Sequence, residues 1–94
     1  MLTITCSAAE AIRGVLATVS AHDRAVMRVC ARGDRWDLTL APPAPDDAVV
    51  RERGVEVYIE RAVEPRLRDK VLDACIQRGT VRFSFLEKQH AKAA

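Results

Sequence analysis

Hydrophobic and polar positions change period several times along the chain, and each change predicts an element. "LTIT" at residues 2–5 alternates: Leu2, Ile4 and Cys6 share one face and Thr3 and Thr5 the other, the period of a short strand. Ser7 and Glu10 then stand in the S-x-x-E spacing of a capping box, where the hydroxyl accepts from a backbone N–H of the first turn and the carboxylate reaches back to the cap. The predicted helix runs to about Ser20, with Ile12, Val15, Leu16 and Val19 as its apolar stripe. Gly14 costs about 1 kcal/mol against alanine inside a helix, which points to a close packing contact there.

From Ala25 the period falls to two. Met27, Val29 and Ala31 point one way and Arg28, Cys30 and Arg32 the other; after "GDR", Trp36, Leu38 and Leu40 alternate with Asp37 and Thr39. Two alternating runs across a short Gly-Asp turn predict an antiparallel hairpin. "APPAPDD" ends it, because prolines cannot donate to a sheet ladder. "AVVRERG" predicts a short strand or turn ending at Gly54, and Val55, Val57 and Ile59 alternate inward along the next strand. "RAVEPRLRDK" reads as a turn or two of helix with Pro65 at its start. "VLDACIQ" and "TVRFSF" predict a second hairpin across Arg78-Gly79, with Val81, Phe83 and Phe85 toward the core and Arg82 and Ser84 toward water. The tail, 87–94, is polar and alanine-rich. The fold class is α+β, mostly antiparallel β, with one domain over 1–86.

Composition narrows the class without naming a function. The 94 residues are 49% hydrophobic and 30% charged, as in an ordinary globular domain. The net charge of +2, from 15 basic and 13 acidic residues, is too even to imply nucleic acid or an anionic membrane as partner. The first dozen residues lack a basic start and an apolar run, so no signal peptide is expected; no stretch approaches the ~20 apolar residues of a membrane span, and the cytoplasm is the default location. Three widely spaced cysteines, Cys6, Cys30 and Cys75, do not make a disulfide framework.

Chemistry is sparse. No P-loop, G-x-G-x-x-G, H-E-x-x-H or C-x-x-C is present, and no nucleophile stands near a base in the pattern, so an enzyme is not expected and no catalytic residue is assigned. His22 and His90 read as solvated surface groups. Cys6 reads as a small core residue and Cys75 as half-buried. Cys30 is the single metal-ligand candidate: its same-face neighbours Arg28 and Arg32 supply positive charge, which favours the thiolate that binds metal. The plainer reading of Cys30, an inert structural cysteine, is preferred, because an iron–sulfur site normally takes four protein ligands. Trp36 reads as core or rim packing.

The succession of motifs resembles one family. "MLTITCSAAEAIRGVLA", "MRVCARG", "DDAVVRERGVEVYIERAVEPRL" and "KVLDACIQRGTVRFSF" are similar to successive segments of the HesB/IscA-like A-type iron–sulfur cluster biogenesis domain, over roughly residues 1–86; the most telling pieces are Gly54-Val55-x-Val57-x-Ile59, Leu72-Asp73 and Phe83-x-Phe85. The resemblance implies a compact two-sheet domain with one main N-terminal helix and one short helix, and a role in carrying iron or an iron–sulfur cluster between proteins. It also implies three cysteine ligands, one in the turn after the "MRV" strand and two in a C-terminal C-x-C. Here the turn position falls at about Arg32 to Asp34, the C-terminal pair would follow Phe85, and none of the three has a match. The expectation is therefore a degenerate HesB/IscA-like domain without a cofactor, acting by contact with a protein partner, in iron–sulfur cluster biogenesis or its regulation. The alternative is an iron or iron–sulfur cluster carrier whose non-standard site is completed across a homodimer by Cys30 from each subunit.

Overall fold

A computed structural model describes residues 1–19 and 24–87. In chain order the elements are β1 (Thr3–Ile4), α1 (Cys6–Leu16), β2 (Val26–Arg32), β3 (Arg35–Ala41), β4 (Ala48–Glu52), β5 (Val55–Ile59), α2 (Glu64–Leu67), β6 (Lys70–Gln77) and β7 (Thr80–Glu87). They form two mixed sheets. One has the order β1-β6-β7 and the other β3-β2-β5-β4. The fold is α+β and mostly strand, with three antiparallel hairpin ladders joined by short turns, β2–β3, β4–β5 and β6–β7, and two parallel pairings, β1 with β6 and β2 with β5.

The hairpins close where turn chemistry permits. Arg53 and Gly54 join β4 to β5 with φ 54° and 79°, and Arg78 and Gly79 join β6 to β7 with φ 52° and 79°. Positive φ at both central residues is the type I′ geometry, whose twist matches that of paired strands. At the β2–β3 turn only Gly33 has positive φ, 63°, the first-position glycine of a type II′ turn.

The core is wholly apolar. Leu2, Ile4, Ala8, Ala9 and Ile12 from the N-terminal segment meet Met27, Val29, Val57 and Ile59 from the four-stranded sheet and Leu72 and Ala74 from β6, with Val63 and Leu67 beside them. Trp36 packs at the rim against Phe85, ring centroids 5.7 Å apart and nearly perpendicular. That edge-to-face pair joins β3 of one sheet to β7 of the other.

Several expectations are corrected. Thr5, not Ser7, caps α1: its Oγ1 accepts from the Ala8 N–H at 3.1 Å and donates to Asp73 Oδ1 at 2.7 Å. The strand ends one residue earlier than the alternation suggests, so Cys6 opens the helix and is exposed rather than in the core. The helix stops at Leu16, leaving Val19 beyond it, and the expected end at Ser20 lies outside the described residues. A Cβ on Gly14 would meet nothing within 4 Å, so no close contact explains that glycine. Val81 and Cys75 are exposed, because the far end of the β6–β7 hairpin projects past the core. His22, His90 and tail positions 88–94 also lie outside the described residues.

The double bonding of Thr5 gives a test. Thr5→Ala should cost about 1–2 kcal/mol in urea unfolding, by loss of the cap and of the Asp73 partner, whereas Ser7→Ala should cost only a few tenths. Equal losses at the two positions would restore Ser7 as the cap.

Candidate functional site

The densest polar constellation is built on the face of the four-stranded sheet carried by Arg28 and Cys30. Alternation along β2 buries Met27 and Val29 on one side and turns Arg28 and Cys30 to the other. The register sets Cys30 opposite Asp37 on β3, and Arg28 between Thr39 on β3 and Tyr58 on β5. The proline-rich loop then delivers Asp47. Arg28 Nε donates to Asp47 Oδ2 at 2.7 Å and Nη2 donates to Oδ1 at 2.8 Å, a bidentate fork. The Ala44 N–H donates to the same Oδ2 at 2.9 Å, and the Asp47 N–H returns a bond to the Ala44 carbonyl, which closes the loop on itself.

Both charged side chains are largely withdrawn from water, at 15% exposure for Arg28 and 1% for Asp47. The hydrogen bond from Arg28 holds the Asp47 carboxyl below its ordinary range; burial opposes this, and the Ala44 N–H adds to it. Arg28 is held further above its already high value, chiefly by the same bond. The pair is therefore fully ionised at neutral pH. The remaining arm of the guanidinium, Nη1, lies 3.0 Å from Cys30 Sγ. Glu60 borders the site: its N–H donates to the Val29 carbonyl and its Oε1 accepts from the Ala31 N–H at 3.1 Å.

Cys30 is thus half-buried with a fixed cation at its sulfur. Cys6 has a similar neighbour, Arg53 Nη1 at 2.9 Å, and Cys75 stands opposite Arg82 on the exposed end of β6–β7. The cysteines lie on three different elements. Among the described residues no group of three or more His, Cys, Asp or Glu side chains is gathered where it could hold a metal ion. The described residues therefore do not make a cluster site within one chain: Cys30 offers one thiolate against the four protein ligands that such a centre normally takes. Arg32 is not part of the constellation, since it pairs with Asp37 at 2.7 Å on the exposed strand ends. Asp47 and Glu60 escape sequence reading. "PDD" marks a turn, but nothing in the pattern says which arginine the second aspartate will meet.

A second concavity of about 510 Å³ opens between the end of α1 and the β2–β5 pair, lined by Arg13, Leu16, Met27, Val55 and Tyr58 among others. Among the described residues its lining has no cysteine or histidine. No helix among the described residues is long and apolar enough to cross a membrane.

No protein-family model matches the sequence, and no curated protein matches it. Solved structures do. The chain superposes on Escherichia coli SufA, involved in biosynthesis of iron–sulfur clusters, with TM-score 0.76 and 22% identity over 92% of this chain and 84% of SufA. It superposes on IscA with the [2Fe–2S] cluster with TM-score 0.68 and 20% identity, over 93% of this chain and 82% of IscA. The expectation that this chain has no cofactor is corrected by that structure, since the similar IscA holds a [2Fe–2S] cluster. The chain has the fold of the A-type iron–sulfur cluster biogenesis proteins, the HesB/IscA-like fold that its sequence resembles.

Proposed function

We propose that this chain takes part in iron–sulfur cluster biogenesis, as a non-enzymatic domain that works by contact with the proteins that build or receive clusters. The observation that supports the reading is the superposition on SufA over nearly the whole chain. The three thiols stand apart, so a cluster engaged here draws most of its ligands from a second protein. The domain then contributes a docking surface and at most the Cys30 sulfur.

One observation favours a second reading. Cys30 sits half-buried beside the Arg28 guanidinium, a fixed cation that would partly neutralise an anionic cluster. A carrier would form if two subunits placed their Cys30 thiolates together and a small thiol completed the set.

Anaerobic reconstitution with iron, sulfide and reductant separates the readings by visible absorption. On the contact reading, colour stays with this chain through desalting only when a cluster-binding partner is in the mixture, and Cys30→Ala lowers it by less than half. Colour that stays with the chain alone, vanishes in Cys30→Ala and survives in Cys6→Ala and Cys75→Ala assigns the carrier reading instead. The biogenesis role itself is checked in cells lacking the chain: iron–sulfur enzyme activities should fall, and unchanged activities would remove the proposal.

A further inference from the structure

We propose that the free edge of β7 receives an extended segment of a partner protein in which apolar and acidic residues alternate, added as a fourth strand to the β1-β6-β7 sheet. The proposal rests on the contact reading above and names the surface and the chemistry of the contact. Among the described residues the sheet order leaves β7 without a neighbour on one side, so a strand of eight residues presents N–H and C=O groups there with no partner strand. Strand addition to such an edge draws affinity from main-chain bonds and specificity from alternate side chains.

The two faces of the hairpin say which side chains fit. On the inner face Leu72, Ala74 and Ile76 of β6 stand opposite Phe85, Phe83 and Val81 of β7. This apolar row begins in the core and runs off its end: Leu72 is fully buried, while Ile76 is 72% exposed and Val81 36%. The α1 residues Ser7, Glu10 and Ala11 flank the overhang, and with Ala74, Ile76 and Val81 they enclose a groove of about 320 Å³. On the outer face β7 shows Thr80, Arg82, Ser84 and Leu86. Arg82 lines a concavity with Gln77, Arg78 and Thr80, and neither arginine makes an ion pair among the described residues. A strand laid along β7 would place every second residue over the Ile76–Val81 overhang. The residues between would lie beside Arg82, where a carboxylate supplies the missing charge.

A second copy of the chain fits less well. Two-fold antiparallel pairing of β7 with itself, inner faces on the same side, sets outer-face residues opposite one another. Those residues are Thr80, Arg82, Ser84 and Leu86, so no register offers Arg82 a carboxylate. The other sheet's edges are less suited: on β4 Arg51 already pairs with Glu56, and on β3 Asp37 pairs with Arg32.

The test uses the full chain and an acetylated eight-residue peptide of alternating valine and glutamate, with a lysine-for-glutamate peptide as control. The glutamate peptide should shift backbone amide resonances of β7 and bind about tenfold or more tightly than the lysine peptide. Arg82→Glu should reverse that preference, and Ile76→Asp should weaken binding about tenfold, the loss typical of a contact that dominates an interface. Both positions are exposed, so the variants should keep the fold, as checked by circular dichroism. Absence of binding, equal binding of the two peptides, or shifts away from β7 would overturn the proposal. So would self-association abolished by Ile76→Asp. If Ile76→Asp still captures cluster-biogenesis proteins as wild type does, the edge proposal fails and the contact reading stands.

Discussion

Asp47→Ala should destabilise the domain by about 3 kcal/mol in urea unfolding at pH 7, against the ~5–15 kcal/mol that holds a single domain together. The loss is large because the substitution strands a charge. Arg28 is held between strands at 15% exposure, and without Asp47 the one hydrogen-bond partner its guanidinium keeps among the described residues is the Cys30 sulfur. The Ala44 N–H loses its acceptor as well. Removing both charges, as in Arg28→Met with Asp47→Ala, should cost less than the single change, since nothing ionised is then left without a partner. A double variant as unstable as the sum of the singles would show that the pair is not coupled. The pH dependence carries a definite sign. Asp47 titrates lower in the folded state than in the unfolded chain, so its contribution is complete above the unfolded value of about 3.9 and disappears as pH falls through the folded value. The gap between wild type and Asp47→Ala should therefore narrow on acidification below about pH 4. A gap that widens there would contradict the assigned pairing.

Leu72→Ala should cost about 3 kcal/mol or more. Leu72 is fully buried in the central strand of its sheet, paired with Ile4 on one side and Phe85 on the other, and its carbonyl accepts from the Thr5 N–H. Truncation removes the contacts of three heavy atoms, Cγ, Cδ1 and Cδ2, from a point where both neighbouring strands meet α1, and rigid ladders on two sides limit collapse into the space. Ile76→Ala, four residues along the same strand and on the same face, should change stability by about 0.5 kcal/mol or less, because that side chain is exposed. Urea midpoints for the two variants check the contrast, and similar losses would show that the hairpin end is covered in solution.

The parts of this fold written in adjacent residues were legible. Alternation from Met27 to Leu40 and from Val71 to Phe85, broken by glycine-bearing turns, places both long hairpins, and Pro65 marks the short helix. The two parallel pairings were not legible from periodicity. Thr3 to Val71 and Arg28 to Tyr58 are partners chosen by packing across long stretches of chain, and no local pattern encodes that choice. The cap was misplaced because Ser7 and Thr5 are both competent; Asp73, which holds the Thr5 hydroxyl, decides between them from the other end of the sequence. Cys6 was misread for the same reason, since a strand one residue shorter changes its face. At the candidate site, the flanking of Cys30 by Arg28 was readable, whereas the buried fork to Asp47 depends on how the proline loop folds back.

The β1–β6 pairing bears on the birth of the protein. The four-stranded sheet uses only residues 26 to 59, so a chain emerging from a ribosome can assemble it early from near neighbours. The first strand cannot dock then, because its partner lies 68 residues downstream at the Thr5–Asp73 contact. During that interval Leu2, Ile4 and the apolar side of α1 are exposed without their final neighbour. A nascent chain of this kind is vulnerable in its β1–α1 segment, and its rate of translation through β6 sets how long the vulnerability lasts.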